Sequence, residues 1–140
     1  MDRGSFEQKF EELVSEGDPY GIRNTSGLDE ANIAIVEDEL QAGLPEDYKW
    51  FLARYWTGMF GSVDLYTLQS NDRSYIGKRQ PEETLGKFVA FSDDGFGNAY
   101  CFPVENGRCV DRVVIVPLLP SEYTGETVSG GFLDFLSTHA

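Results

Sequence analysis

The pattern around residues 40–45 most constrains what this chain can fold into. Ile33, Val36 and Leu40 recur at helical spacing, Gly43 follows, then Leu44-Pro45, and a second helical pattern begins at once. Glycine just past a helix supplies left-handed backbone. Proline in the first turn of a helix costs little, because the amide it lacks has no intrahelical partner there. The spacing predicts two helices meeting at a tight corner, with Gly43 left-handed and Pro45 opening the second helix. Ala31 and Ile35 form a second apolar row on the first of them, predicting two packing neighbours. Glu37-Asp38-Glu39 reads as its mostly solvated side. The second helix sets Tyr48, Phe51, Leu52 and Tyr55 on one face. Trp50 falls off that face. It reads either as an exposed contact residue or as a side chain buried under the 69–86 segment or the C-terminal segment.

An earlier helix is expected over residues 5–16. Ser5 with Gln8 makes a capping box, Phe6, Phe10, Leu13 and Val14 share one face, and Gly17-Asp18-Pro19 stops it. Residues 18–28 read as a loop.

After Gly58 the period changes. Residues 62–68 alternate like a strand. Residues 69–86 read as a loop with a short helix at 81–84, and 88–91 as a strand. Asp94-Gly95 turns the chain. Asn106-Gly107 is a strong two-residue hairpin signal, joining strands 98–104 and 109–116. In that register Val104 faces Cys109, Glu105 faces Arg108 and Cys101 faces Arg112. The two cysteines then lie on opposite faces of the ribbon and stay reduced. Val113 to Val116 reads as a strand covered on both faces, ended by Pro117 and Pro120. Residues 121–131 read as a loop, and Phe132, Phe135 and Leu136 predict a closing helix. The order predicts one α+β domain over residues 1–140, an antiparallel sheet packed against N-terminal helices with a C-terminal helix closing it.

The 140 residues carry a formal net charge of −13. Residues 1–50 hold 13 acids and 4 bases, so most of that charge lies in the first third of the chain. Such a field repels polyphosphates and attracts basic proteins, which argues against direct nucleic-acid binding. Solubility alone is the plainer reading of the same charge. No apolar run is long enough to span a bilayer, and the first residues lack a signal-peptide layout, so a cytoplasmic protein is expected.

No catalytic constellation emerges. His139 is the lone histidine, beside the last residue, and neither cysteine has a histidine near it in sequence. Glu46 and Asp47 read as first-turn acids favoured by the helix dipole. Gly95-Phe96-Gly97 carries no lysine and opens no helix, so it is not a phosphate loop. Asp93-Asp94-Gly95-Phe96-Gly97-Asn98 reads first as a structural turn and second as a partner contact. Its oxygen ligands lack the spacing of a calcium loop. No metal and no cofactor are expected.

Taken together, Glu37, Leu40, Gly43, Leu44-Pro45, Tyr48, Phe51-Leu52 and Gly58 form an ordered series. Phe91, Asp93, Gly95, Gly97 and Tyr100 continue it. The series resembles the SUKH superfamily, which holds the fungal Smi/Knr cell-wall-synthesis regulators and many bacterial immunity proteins against polymorphic toxins. One departure is visible: Tyr55-Trp56-Thr57 leads to Gly58 where the family often has Asn-Gly. The resemblance implies a six-stranded or similarly sized sheet and a binding role. That role is stoichiometric neutralisation of a cognate, basic toxin domain, such as a nuclease or deaminase. A non-catalytic scaffold of the Smi/Knr type is the alternative, and a small enzyme ranks third. Trp50, Asp93, Asp94, Phe96 and Asn98 are the candidate partner-binding residues. Oligomeric state is not legible.

Overall fold

The corner at residues 40–45 organises the molecule. The structure, a computed structural model, describes residues 1–11, 29–55, 57–117 and 125–139. Helix α2 spans Glu30–Leu40, capped by the Asp29 carboxylate, which accepts the Asn32 amide at 2.8 Å. Helix α3 spans Glu46–Arg54, with Pro45 as its extended N-cap. The left-handed residue that ends α2 is Gln41, at φ 58°, and Gly43 has no positive φ. The expected left-handed Gly43 is therefore corrected. Gly43 instead meets a distant hairpin through its backbone: its amide donates to Gly107 O at 2.9 Å, and its carbonyl accepts from the Cys109 amide at 2.7 Å.

Helix α1 spans Arg3–Lys9, and Asp2 caps it by accepting the Ser5 amide at 2.7 Å. A carboxylate at residue 2 thus takes the role expected of Ser5. Leu13, Val14 and the 18–28 loop lie outside the described residues. Val36 and Leu40 are buried and Ile33 packs on the core, as the spacing predicts. Ile35 is 60% exposed and Ala31 is exposed, so the second apolar row on α2 is not covered. One residue on from a buried position, a helix has turned by about 100°, out of the packed face.

The strands form one antiparallel sheet: β1 (Gly58–Phe60), β2 (Val63–Leu65), β3 (Phe88–Asp93), β4 (Asn98–Glu105), β5 (Arg108–Cys109), β6 (Val113–Pro117) and β7 (Glu126–Ser129). The order is β1-β2-β3-β4-β6-β7, with β5 paired to β4 beyond the end of β6. The seven strands among the described residues agree with the six-stranded or similarly sized sheet that the resemblance implies. Single turns of 3₁₀ helix occupy Ile76–Lys78 and Glu82–Thr84, the second where a short helix is expected. Helix α4 spans Phe132–His139.

The hairpin register holds: Val104 pairs with Cys109 and Glu105 with Arg108, around Asn106 and Gly107 at φ 52° and 75°. It shifts beyond residue 109, so Cys101 pairs with Val114 and not with Arg112. Val110 donates to Pro103 O, and residues 110–112 then leave the ladder before β6 starts. Both thiols are free, and burial pushes each up to about 12.

Aromatic rings fill the space between sheet and helices. Phe91 stacks on Phe102 at 4.5 Å, and Tyr48 meets Phe102 and Phe132 edge-on at 5.3 and 5.0 Å. Phe6 of α1 meets Phe51 of α3 and Phe60 of β1. Such pairs add roughly 0.5–1.5 kcal/mol each beyond area burial. No helix among the described residues is long and apolar enough to cross a membrane.

Candidate functional site

The turn between β3 and β4 presents the most exposed large apolar side chain described. Phe96 is 89% exposed at its tip. The turn is held from inside by two aspartates. The Asp94 carboxylate accepts the amides of Phe96 and Asn98 at 2.8 and 3.2 Å, and the Asn98 side-chain amide at 2.8 Å. Asp93 accepts the Gly95 amide at 2.9 Å and the Tyr66 hydroxyl at 3.0 Å. Gly95 and Gly97 take φ of 74° and 91°, a conformation that L side chains rarely adopt. The sequence pattern Asp-Asp-Gly-Phe-Gly-Asn is thus a self-braced loop with a phenylalanine as its outermost residue.

A cavity of about 330 Å³ lies beside it. Val63, Asp93, Asp94, Phe96, Tyr100 and His139 line it, with no lysine or arginine among the described residues of its lining. Two serines complete the wall with their donors committed: Ser92 Oγ donates to Asp64 O, and Ser62 Oγ to His139 O. The His139 ring stacks on Phe135 at 4.5 Å, and its Nδ1 lies 3.1 Å from Phe135 O. That ring is built into α4, not left on a loose terminus.

The electrostatics follow from these contacts. The Asn98 side-chain hydrogen bond and the turn amides hold the Asp94 carboxyl below its ordinary range. Burial, then Asp93, pushes the Asp64 carboxyl up. Burial, then Asp93, also pushes up the Tyr66 phenol.

The candidate residues do not all converge. Asp93, Asp94, Phe96 and Asn98 share the turn, whereas Trp50 sits on α3 against α1. Its ring lies 6.3 Å from Phe6 and 6.0 Å from Tyr55, with the Arg3 guanidinium 5.4 Å from its centroid. Trp50 is half-buried against α1, between the exposed and the covered readings of its position in the sequence. The motif residues Leu40, Leu44, Tyr48, Phe51 and Leu52 are core, and Gly58 opens β1. Glu37 is half-buried: its carboxylate accepts the Leu44 amide at 2.6 Å, and Lys49 stands 3.7 Å away. Sequence reasoning missed Tyr66 and His139 as neighbours of the turn. Tyr66 follows β2 and His139 ends α4, and no local spacing signals that convergence.

A larger cleft of about 680 Å³ lies at the α2–α3 corner, walled by Asp38, Leu44, Arg108 and Cys109. Lys49 on its wall is paired with Glu46 at 3.2 Å as well as Glu37. Among the described residues no group of three or more His, Cys, Asp or Glu side chains could hold a metal ion.

The family model described as SUKH_6, SMI1-KNR4 cell-wall, matches residues 30–136. The chain belongs to this family. The match spans the α2–α3 corner, the whole sheet and most of α4, the parts carrying the motif series. At the level of the family, membership supports a Smi/Knr-type or immunity-protein role.

Proposed function

We propose that this SUKH domain is a non-catalytic immunity protein that neutralises a cognate toxin domain by binding it one to one. The single observation that carries the reading is Phe96, 89% exposed on a turn that two aspartates brace. An apolar ring held so firmly in water suits a contact residue. Family membership supports a binding role, and the net charge of −13 supports a basic partner. Nuclease and deaminase domains approach phosphates and carry basic clefts, so an acidic cap would occlude them. Two thiols held protonated by burial argue against a cysteine nucleophile. The protein would act in the cytoplasm of the cell that makes it, where a toxin must be met before it does harm.

The test is co-expression with the protein encoded beside it. Neutralisation should titrate to one inhibitor per toxin, and the pair should co-elute as a 1:1 complex. Association should slow as salt rises, because exposed charges are screened within about 10 Å at 0.1 M. Protection far below one inhibitor per toxin, or a salt-independent on-rate, rejects this mechanism. The Smi/Knr scaffold reading is favoured by the cell-wall description of the matching family. It requires several cell-wall enzymes to bind with similar affinity and no toxin to be inhibited.

A further inference from the structure

We propose that the cavity beside Phe96 receives the guanidinium of an arginine from the protein partner, held between aromatic faces and the aspartate carboxylates. This inference rests on the binding reading above and names the chemistry at its centre. Three observations carry it. The first is the cavity itself, about 330 Å³, roomy enough for one long side chain. The second is its wall: the rings of Phe96, Tyr100 and His139 line it, and Tyr100 is fixed by packing on Phe135 at 4.7 Å. A cation over an aromatic face is attracted to its electron-rich surface. The third is charge complementarity. Asp93 and Asp94 contribute two carboxylates, no lysine or arginine among the described residues lines the space to answer them, and the whole chain is strongly acidic.

Both aspartates already accept hydrogen bonds from the turn, which neutralise neither charge. A planar guanidinium can stack on one ring while its edges meet carboxylates, and its stem covers Val63. Lysine offers a point charge without the stacking plane and is the weaker fit.

The probe is N-acetyl-arginine N-methylamide, titrated into the labelled full chain and followed by amide NMR shifts. The citrulline analogue, of the same shape without charge, serves as control. The arginine probe should shift the amides of Asp94, Phe96 and Tyr100 first, and citrulline should do so far less. Phe96→Ser keeps every charge and removes the exposed ring. It should weaken the probe by roughly fivefold with an unchanged melting temperature. Phe96→Leu should weaken it similarly, because the ring matters and not the apolar bulk. Equal shifts from citrulline, shifts spread evenly over the acidic surface, or indifference to both Phe96 variants would overturn the proposal. If the probe seats here but no toxin is neutralised, the immunity reading falls and the arginine site stands. Neutralisation without probe binding overturns the site alone.

Discussion

The Glu37 carboxylate accepts the Leu44 amide at 2.6 Å, reaching seven residues ahead across the corner that joins α2 to α3. Helix α3 starts at a proline N-cap with no side chain to serve its first amides, and the chain entering it is fixed from behind. An acid in the middle of a helix thereby positions the start of the next one.

Glu37→Ala should cost about 1–2 kcal/mol in urea unfolding, because it leaves a part-buried amide without its acceptor. Glu37→Gln keeps an oxygen for Leu44 and should cost less than half as much. Equal losses in the two variants would mean that the ion pair with Lys49 matters, and not the amide bond.

Tyr48→Phe should be neutral or stabilise by up to about 1 kcal/mol. The ring is fully buried among Phe91, Phe102 and Phe132, and its hydroxyl has no hydrogen-bond partner among the described residues. Removing an unsatisfied oxygen leaves the aromatic packing in place. A loss above about 1 kcal/mol in chemical denaturation would show that the hydroxyl is satisfied.

Two glycines should part company under the same substitution. At Gly43 an added Cβ would stand 3.5 Å from Glu37 Oε2 and 3.7 Å from Arg108 Cγ, ordinary contact distances, and Gly43→Ala should change stability by less than about 0.5 kcal/mol. At Gly125 it would press on Val114 Cγ2 at 2.8 Å and Phe88 Cε1 at 3.0 Å, and Gly125→Ala should cost about 1–3 kcal/mol. Thermal melts of the pair decide it; the reverse order would refute the contact argument.

Asp111 caps α4 from a distance, accepting the Phe132 amide at 2.9 Å. Burial pushes its carboxyl above the ordinary value of 3.8, the Phe132 amide opposes the shift, and the nearby Asp47 and Asp134 charges add to it. The folded chain therefore binds this proton more tightly than the unfolded chain. This group's contribution is greatest below 3.8 and is lost as pH rises through the raised folded value. Asp111→Asn keeps the acceptor and removes the charge. It should be at least as stable as the parent at pH 7, with the difference shrinking as pH falls. A variant less stable than the parent at pH 7 would show that the Phe132 amide needs a carboxylate.

The helical corner, the hairpin at residues 106–107 and the closing helix were legible because each rests on short-range rules: helical spacing, a proline at a helix start, an Asn-Gly turn. What escaped was set by partners far along the chain. Strand β7 reads as loop in the sequence because Glu126-Thr127-Val128-Ser129 lies largely exposed at the sheet edge, where little burial imposes a pattern. The Cys101 register slipped because residues 110–112 leave the ladder, and no turn signal marks that break. The sequence points to a left-handed Gly43 because glycine after a helix usually is one; Gln41 fills that place instead. At the candidate site, the turn and its exposed Phe96 were visible as residues. The cavity beside them needed Val63, Tyr100 and His139 brought from three elements.

The backbone seam between Gly43 and the 107–109 hairpin also has a kinetic meaning. It closes a long loop of chain with only two hydrogen bonds, so the entropy of closure must be met before the seam repays it. Helices α2 and α3 and the hairpin can each form early from local contacts, but the seam has to wait until the sheet has brought them together. Contacts absent from the folding transition state govern how fast a protein comes apart. The seam is therefore a latch on unfolding: weakening it should shorten the lifetime of the folded domain while leaving the speed of folding nearly untouched.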